Sequence, residues 1–380
     1  MLTTESQSQS LKKTVLHAAH VEAGAQMVPF GGWDMPVQYS DGIISEVKAV
    51  RNSAGMFDVS HMGRLEFEGP GAESFLGTIL SANLPIIKVG RGKYNFICSG
   101  SGGIIDDAMV YRVGDEKFLL VINAGNSEAD MDWINPHLKG SSGFTMNVIT
   151  DDTAMIAVQG PEAVGIIDGL TGDAASKIRR FRIGEAEMNA IPATLARTGY
   201  TGEDGFEIVV AADQGVKLWS MLKEAGVVEA GLGARDVLRL EAGLLLHGND
   251  LSTDTNPFEA GFGRFAYVEA PGCIAGLALK QLSTQEQARA LVGFKMTGRG
   301  IPRTGLNILS GGTSEIDDSN VIGIVTSGTH SPTVDGGIGM GYVEKKYSAT
   351  GTQIVIDVRG RLVEAEVVDM PFYKRGYKRG

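Results

Sequence analysis

Two hydrophobic rhythms divide this chain. Over residues 11–24 apolar positions recur at helical spacing and the run ends on Gly24, which predicts a helix closed by a glycine C-cap. Beyond it, β-like runs at 64–68, 118–123, 155–158 and 206–210 alternate with helical stretches at 71–80, 126–138, 161–170 and 214–223. The pattern predicts mixed α and β structure, and its irregularity does not demand a doubly wound sheet. After residue 282 only strand-like runs remain, at 291–296, 321–326, 339–343, 353–358 and 362–368. The last two flank Arg359-Gly360-Arg361, so they are expected to form a hairpin within a separate C-terminal β-barrel-like domain. Residues 310–319, rich in Gly, Ser, Thr and Asp, are expected to form an exposed excursion. No fixed-period repeat of the solenoid kind is present.

A chain of 380 residues is longer than one hydrophobic core sustains, so two or three packed domains are expected. With 43% hydrophobic and 21% charged residues, the composition is that of a folded globular protein. The net charge of −11 disfavours a nucleic-acid partner, because phosphate backbones are held by a surplus of Lys and Arg. No uncharged apolar run of about 18 residues is present to span a membrane. The polar N-terminus lacks a secretory apolar segment, and Glu5 together with the absence of arginine weighs against a transit peptide. Cys98 and Cys273 form no CxxC or metal-like spacing, so a reducing, cytoplasmic setting is expected, or the mitochondrial matrix in a eukaryote.

Several chemistries are unsupported. The glycine clusters at 231–233 and 337–341 lack the strand, tight turn, helix and distal acid of a dinucleotide site, and no GxxxxGK[ST] occurs. The six histidines include no HExxH pair; His17 and His20 share a helical face, but such a pair near a terminus is ordinarily solvated. There is no GxSxG, and neither cysteine sits in a recognisable Cys-His setting.

Three segments are more informative. In GGIIDDAMVY, residues 102–111, two adjacent acids interrupt an apolar run. Strand alternation puts only Asp107 on the side of Ile105, Met109 and Tyr111, where a carboxyl among apolar groups acquires a raised pKa suited to proton transfer. A turn whose acids cap loop donors is the plainer alternative. In RTGYTGEDGFE, residues 197–207, turn residues gather Tyr200, Glu203, Asp204 and Glu207, which suits clamping a polar heterocycle; Glu207 as an edge-strand acid in water is the alternative. In GLGARDVLRLEAGLLLHG, residues 231–248, a strong helix presents Arg235 and Arg239 on one face. An arginine in the first turn opposes the helix dipole and implies an anionic partner, unless both form surface salt bridges.

Together with MVPFGGWDMP (27–36), VRNSAGMFDVSHMG (50–63), NPFEAG (256–261), TSGTHSP (326–332) and MPF (370–372), these motifs resemble, over nearly the whole chain, the T-protein family of glycine-cleavage aminomethyltransferases. The resemblance implies an α+β, three-domain cloverleaf. Two intertwined mixed α/β subdomains would occupy residues 11–282 and a β-barrel residues 288–380, with tetrahydrofolate in the central hole. It also implies transfer of a one-carbon unit from the aminomethyl-lipoyl arm of H-protein to tetrahydrofolate, with release of ammonia. By motif register the family's catalytic aspartate falls on Asp107, its pterin-binding glutamate on Glu207 and the arginine of GLGARD on Arg235. Met62, Tyr94, Tyr111, Asn123, Tyr200 and Tyr377 are implied as further pocket contacts.

The chain departs from the family pattern at Phe262-Gly-Arg-Phe-Ala-Tyr267, where a Leu-Ser-Trp-like stretch is usual, and at His247, where a tyrosine is common. Both positions are expected on the donor side. A second reading is therefore a tetrahydrofolate-dependent demethylase of a small methylated compound such as dimethylsulfoniopropionate or a methylamine. A noncatalytic folate-binding assembly protein would carry a cysteine-containing motif, and neither Cys98 nor Cys273 sits in one.

Overall fold

Alternating burial along Ile104–Arg112 makes that strand an inner member of a five-stranded sheet. In order the sheet runs Arg91–Cys98, Ile104–Arg112, Lys117–Ile122, Gly63–Glu68 and Thr145–Val148. The computed structural model describes residues 10–269 and 272–376. One face of the sheet is closed by helices Ala72–Ile79 and Ser127–Leu138, which bury Phe75, Leu76 and Ile134 against Leu65, Phe67, Ala108 and Val110. Each large apolar side chain so buried contributes about 1.5–3 kcal/mol.

A second, six-stranded sheet interleaves with the first in sequence. Gly55–Asp58 belongs to it; the chain then leaves to build the whole five-stranded sheet and returns at Thr153–Gln159 to pair antiparallel with Gly55–Asp58. Gly205–Ala211, Ile191–Ala196 and Ile183–Met188 extend the sheet on one side and Val228–Glu229 on the other. The two sheets share a core of Val47, Phe57, Tyr111, Val121, Ala157 and Leu238. The C-terminal region forms a closed six-stranded barrel, Arg289–Met296, Gly336–Glu344, Val321–Ser331, Asn307–Ser310, Gln353–Val358 and Arg361–Val368 in cyclic order. Phe294, Ile308, Ile356 and Ala365 fill it. The expected hairpin closes through Arg359 and Gly360, both at positive φ (56° and 85°), the conformation a tight two-residue turn requires.

The architecture is thus the α+β one expected, two mixed units and a barrel. Buried polar ties bind the barrel to helix Leu232–Glu241: Arg239 donates to Ser327 Oγ at 2.7 Å, and Ser331 Oγ donates to Glu241 Oε1 at 2.5 Å. Among the described residues no helix is long and apolar enough to cross a membrane.

Two expectations need correction. The helix expected over 11–24 shrinks to His17–Glu22, because the backbone before it is extended: Lys12 N–H bonds Gly32 O and Asp34 N–H bonds Lys12 O, each at 2.9 Å. His20 is not solvated but fully buried. Its Nε2 lies 3.0 Å from Asp58 Oδ2, and its Nδ1 lies 2.9 Å from the Tyr39 hydroxyl. Burial acts to raise the Asp58 pKa, but bonds from His20, Thr14 and Ser60 and the His20 charge outweigh it and hold the carboxyl at about 2. A depressed carboxylate stabilises the fold above its unfolded pKa and loses that contribution as pH falls toward 2. Asp58→Asn is expected to cost on the order of 2 kcal/mol at pH 7. The gap to wild type should narrow between pH 4 and pH 3, as urea melts at each pH would read.

Candidate active site

The acid pair is placed by the turn that precedes it. Gly102 takes φ +90°, and a Cβ on Gly103 would lie 2.1 Å from the Thr253 carbonyl oxygen, so only glycine lets the chain enter the strand there. Ile104 N–H then bonds Thr255 O at 3.0 Å. From that anchor, alternation sends Asp106 to the fully buried side with Ile104, Ala108 and Val110. Asp107 goes to the other side with Ile105, Met109 and Tyr111, as the sequence pattern implied. Tyr94 donates to Asp107 Oδ2 at 2.9 Å, and Asn123 Nδ2 donates to Asp107 Oδ1 at 2.9 Å. Burial, and next the adjacent Asp106 charge, push the Asp107 pKa up to about 7 against the opposing pull of Tyr94, His247 and Asn123. Near neutral pH Asp107 therefore populates both protonation states.

Glu207, on strand Gly205–Ala211 of the six-stranded sheet, is reached from the far end of the Asp107 strand. Tyr111, four residues beyond Asp107 or about 13 Å along a strand, places its hydroxyl 2.8 Å from Thr198 Oγ1. Thr198 spends its single proton on Glu207 Oε2 at 2.6 Å, so Tyr111 is the donor to Thr198. Opposite them the Arg235 guanidinium lies over the Tyr200 ring, 4.8 Å from its centroid, and the Glu207 charge acts on it. Its Nη1 is buried without a hydrogen-bond partner among the described residues. Tyr200 donates its hydroxyl to Leu245 O and feels the Asp107 charge, which links the two ends of the site. Met62 packs partly buried against the core that holds Tyr111.

Hydrogen bonds, ring contacts and charge effects therefore connect Asp107, Tyr94, Asn123, Tyr200, Arg235, Glu207 and Tyr111, and Met62 packs in the core that holds Tyr111; Tyr377 lies outside the described residues. Other expectations are corrected. Glu203 and Asp204 do not join Glu207: Glu203 pairs with Arg51 at 2.9 Å and Asp204 with Arg197 at 2.9 Å, both as structural clamps. Arg239 is no surface cation either, being buried against Asp250 at 2.7 Å and paired with Asp236 at 2.9 Å.

The departure at 262–267 builds a wall beside the acid, with the Phe265 ring 5.0 Å from the Tyr94 ring. His247 Nδ1 stands 3.7 Å from Asp106 Oδ1, and burial lowers its pKa. Asn126 and Asp130 carry no motif that sequence reasoning could seize, and Thr198, although within RTGYTGEDGFE, is not marked there as a partner of Glu207. His61 does lie in a quoted motif; it is fully buried, and burial lowers its pKa to about 4. A surface cavity of about 500 Å³ lined by Glu73, Asn83, Arg112 and Tyr267 contains none of Asp107, Tyr94, Glu207 or Arg235. Among the described residues no cluster of His, Cys, Asp or Glu is placed to hold a metal ion.

The site thus holds a titratable acid at one end and, at the other, a carboxylate whose charge acts on a buried guanidinium with one unbonded nitrogen. Two family models cover the chain: the GCVT N-terminal domain matches residues 16–269, and the glycine cleavage T-protein C-terminal barrel domain matches residues 289–374. The chain belongs to the glycine cleavage T-protein family. It is 43% identical to an aminomethyltransferase of Shouchella clausii over 96% of this chain and 98% of that one. It is 41% identical to one of Symbiobacterium thermophilum over 98% and 100%. The crystal structure of glycine cleavage system aminomethyltransferase T from Bartonella henselae matches with a TM-score of 0.89 at 33% identity, covering 97% of this chain and 99% of that one.

Proposed function

We propose that this protein is a cytoplasmic, tetrahydrofolate-dependent aminomethyltransferase. It takes the one-carbon unit of an aminomethyl group on the lipoyl arm of H-protein, releases ammonia and forms 5,10-methylenetetrahydrofolate. The carrying observation is that Tyr200 links Asp107, poised near neutrality, to Arg235, which feels the Glu207 charge and keeps a buried Nη1 without a partner among the described residues. The donor set fits a reduced folate. Glu207 accepts from amino and ring N–H groups of a pterin, and Arg235 offers a buried N–H to an acceptor atom. Tetrahydrofolate supplies the nitrogens that receive the carbon.

The protein's part is orientation and proton traffic. Thr198 fixes one Glu207 oxygen, and Tyr111 fixes Thr198, so the pterin-binding carboxylate is held before ligand arrives. Ammonia and the freed thiol take up the two protons that the accepting nitrogens lose. Asp107 is able to hold and return one of them, and in its ionised form it stabilises positive charge on the one-carbon unit. The full-length likeness to proteins named aminomethyltransferase favours H-protein over a small methylated donor.

Glu207→Ala is expected to weaken tetrahydrofolate binding about 10- to 100-fold, the worth of a charge-assisted hydrogen-bond pair of about 1.5–3 kcal/mol. kcat should fall far less. Calorimetric titration with tetrahydrofolate beside steady-state kinetics measures both, and unchanged affinity would remove Glu207 from the pterin site.

A further inference from the structure

We infer that Asp130 is a positioning residue for Asp107: it carries a proton that it donates to Asp106, so that Asp106 stays ionised beside the reaction centre. Asp130 lies in the first turn of helix Ser127–Leu138 and is fully buried, as is Asp106. Asn126 Nδ2 bridges Ile105 O at 2.7 Å and Asp130 Oδ1 at 3.1 Å, which sets Asp130 beside Asp106, and each carboxyl acts on the other's ionisation. A hydrogen bond between two carboxyl groups requires one proton between them.

The partners decide where it sits. Burial raises the Asp106 pKa, and against it Asp106 accepts from Asn123 N–H at 3.0 Å, from Asn123 Nδ2 at 2.8 Å and from the Asp107 backbone N–H, each of which favours its ionised form. Asp130 accepts only from Asn126 Nδ2, at 3.1 Å on Oδ1, while its buried Oδ2 meets no donor among the described residues. Of two neighbouring carboxyls, the one with a buried oxygen that no donor reaches is the one that bears hydrogen, and the one supplied with donors is the one that ionises. Burial, then the Asp106 charge, raise the Asp130 pKa, in agreement.

The consequence reaches Asp107 through charge. Asp107 is surrounded by Tyr94 from Arg91–Cys98, by Asn123, by Tyr200 from the loop between Ile191–Ala196 and Gly205–Ala211, by His247 from the loop after helix Leu232–Glu241, and by Asp106 from its own strand. Of these Asp106 alone repels its ionisation through a full negative charge. If Asp130 ceases to donate, Asp106 binds a proton, the repulsion disappears, and Asp107 gives up its proton at lower pH.

This inference rests on the aminomethyltransferase reading only for its kinetic arm; the spectroscopic arm needs no turnover. At pH 8.5, where Asp107 is ionised, the infrared spectrum of the full chain should show an un-ionised carboxyl band that is missing in Asp130→Asn and retained in Asp106→Asn. In the pH dependence of kcat/KM, Asp130→Leu should move the Asp107 limb down by about one pH unit. Asp130→Asn, whose amide supplies the same neutral donor, should restore the limb to within about 0.3 unit of wild type. Persistence of the band in Asp130→Asn overturns the inference, as does its loss in Asp106→Asn. A shift in Asp130→Asn as large as that in Asp130→Leu also overturns it, since it would mean that Asp130 acts as a charge. Should Asp130→Leu fail to fold, the band and the Asp130→Asn limb decide alone.

Discussion

Asp107→Asn is expected to lower kcat about 10²- to 10⁴-fold while tetrahydrofolate affinity stays within a few-fold of wild type. The amide keeps the volume and can still engage Tyr94 and Asn123, so the pocket is preserved while the titratable proton is lost. The limb of the wild-type pH–rate profile near pH 7 should vanish with it. Stability should move the opposite way. A carboxyl whose folded pKa is raised favours the fold below the unfolded value, and that contribution is lost as pH rises through the folded one. Asp107→Asn, which cannot ionise, should therefore gain Tm relative to wild type progressively from about pH 4 to pH 7 and hold a constant gain above. Retained turnover in the variant would remove Asp107 from the chemistry, whereas loss of turnover together with loss of folate binding would make its role structural.

Arg51→Met is expected to destabilise the protein by about 3–5 kcal/mol, the cost of leaving the buried Glu241 carboxylate without its cation and Glu203 with the more distant Arg375, at 3.5 Å. Arg51 bonds Glu241 Oε2 through Nε at 3.0 Å and Nη2 at 2.7 Å, Glu203 Oε1 at 2.9 Å, and the Thr201 carbonyl at 2.8 Å. The side chains of Glu203 and Glu241 are 2% and 0% exposed, so water cannot replace it. One side chain thus joins helix Gly42–Asn52, the loop carrying Tyr200 and helix Leu232–Glu241, and it lies 4.0 Å from the Tyr373 ring centroid in the C-terminal tail. Arg51→Lys should recover little, because a point charge cannot serve both carboxylates in the same planar geometry. Urea or thermal melts at pH 7 measure the effect; a loss below about 1 kcal/mol would show the network to be replaceable.

How far these features were legible depended on whether local pattern or distant partners decided them. The Asp107 facing followed from strand alternation alone, and the barrel hairpin from a glycine between two alternating runs. Arg91–Cys98 escaped because its first half, Arg-Gly-Lys-Tyr, is polar and exposed at alternate positions, and it becomes a strand only by pairing with Ile104–Arg112. The hairpin Ile183–Met188 with Ile191–Ala196 turns on Asn189 and Ala190, both at positive φ, where no glycine announces the turn. Glu203 and Glu207 look alike in sequence. Only the fold shows that the first faces Arg51, brought from 152 positions away, and the second Thr198. Likewise the buried His20 and Asp130 and the half-buried Asn126 carry no local sign of Asp58, Asp106 and Ile105, which come to them from other segments.

The aminomethyltransferase account meets its most direct test in a single-turnover assay. Purified protein and tetrahydrofolate are supplied either with aminomethyl-loaded, lipoylated H-protein or with dimethylsulfoniopropionate. The account predicts ammonia and 5,10-methylenetetrahydrofolate in equal amounts from H-protein, and no methylated folate from the sulfonium. Methyl transfer from the small compound, with no ammonia from H-protein, would contradict it.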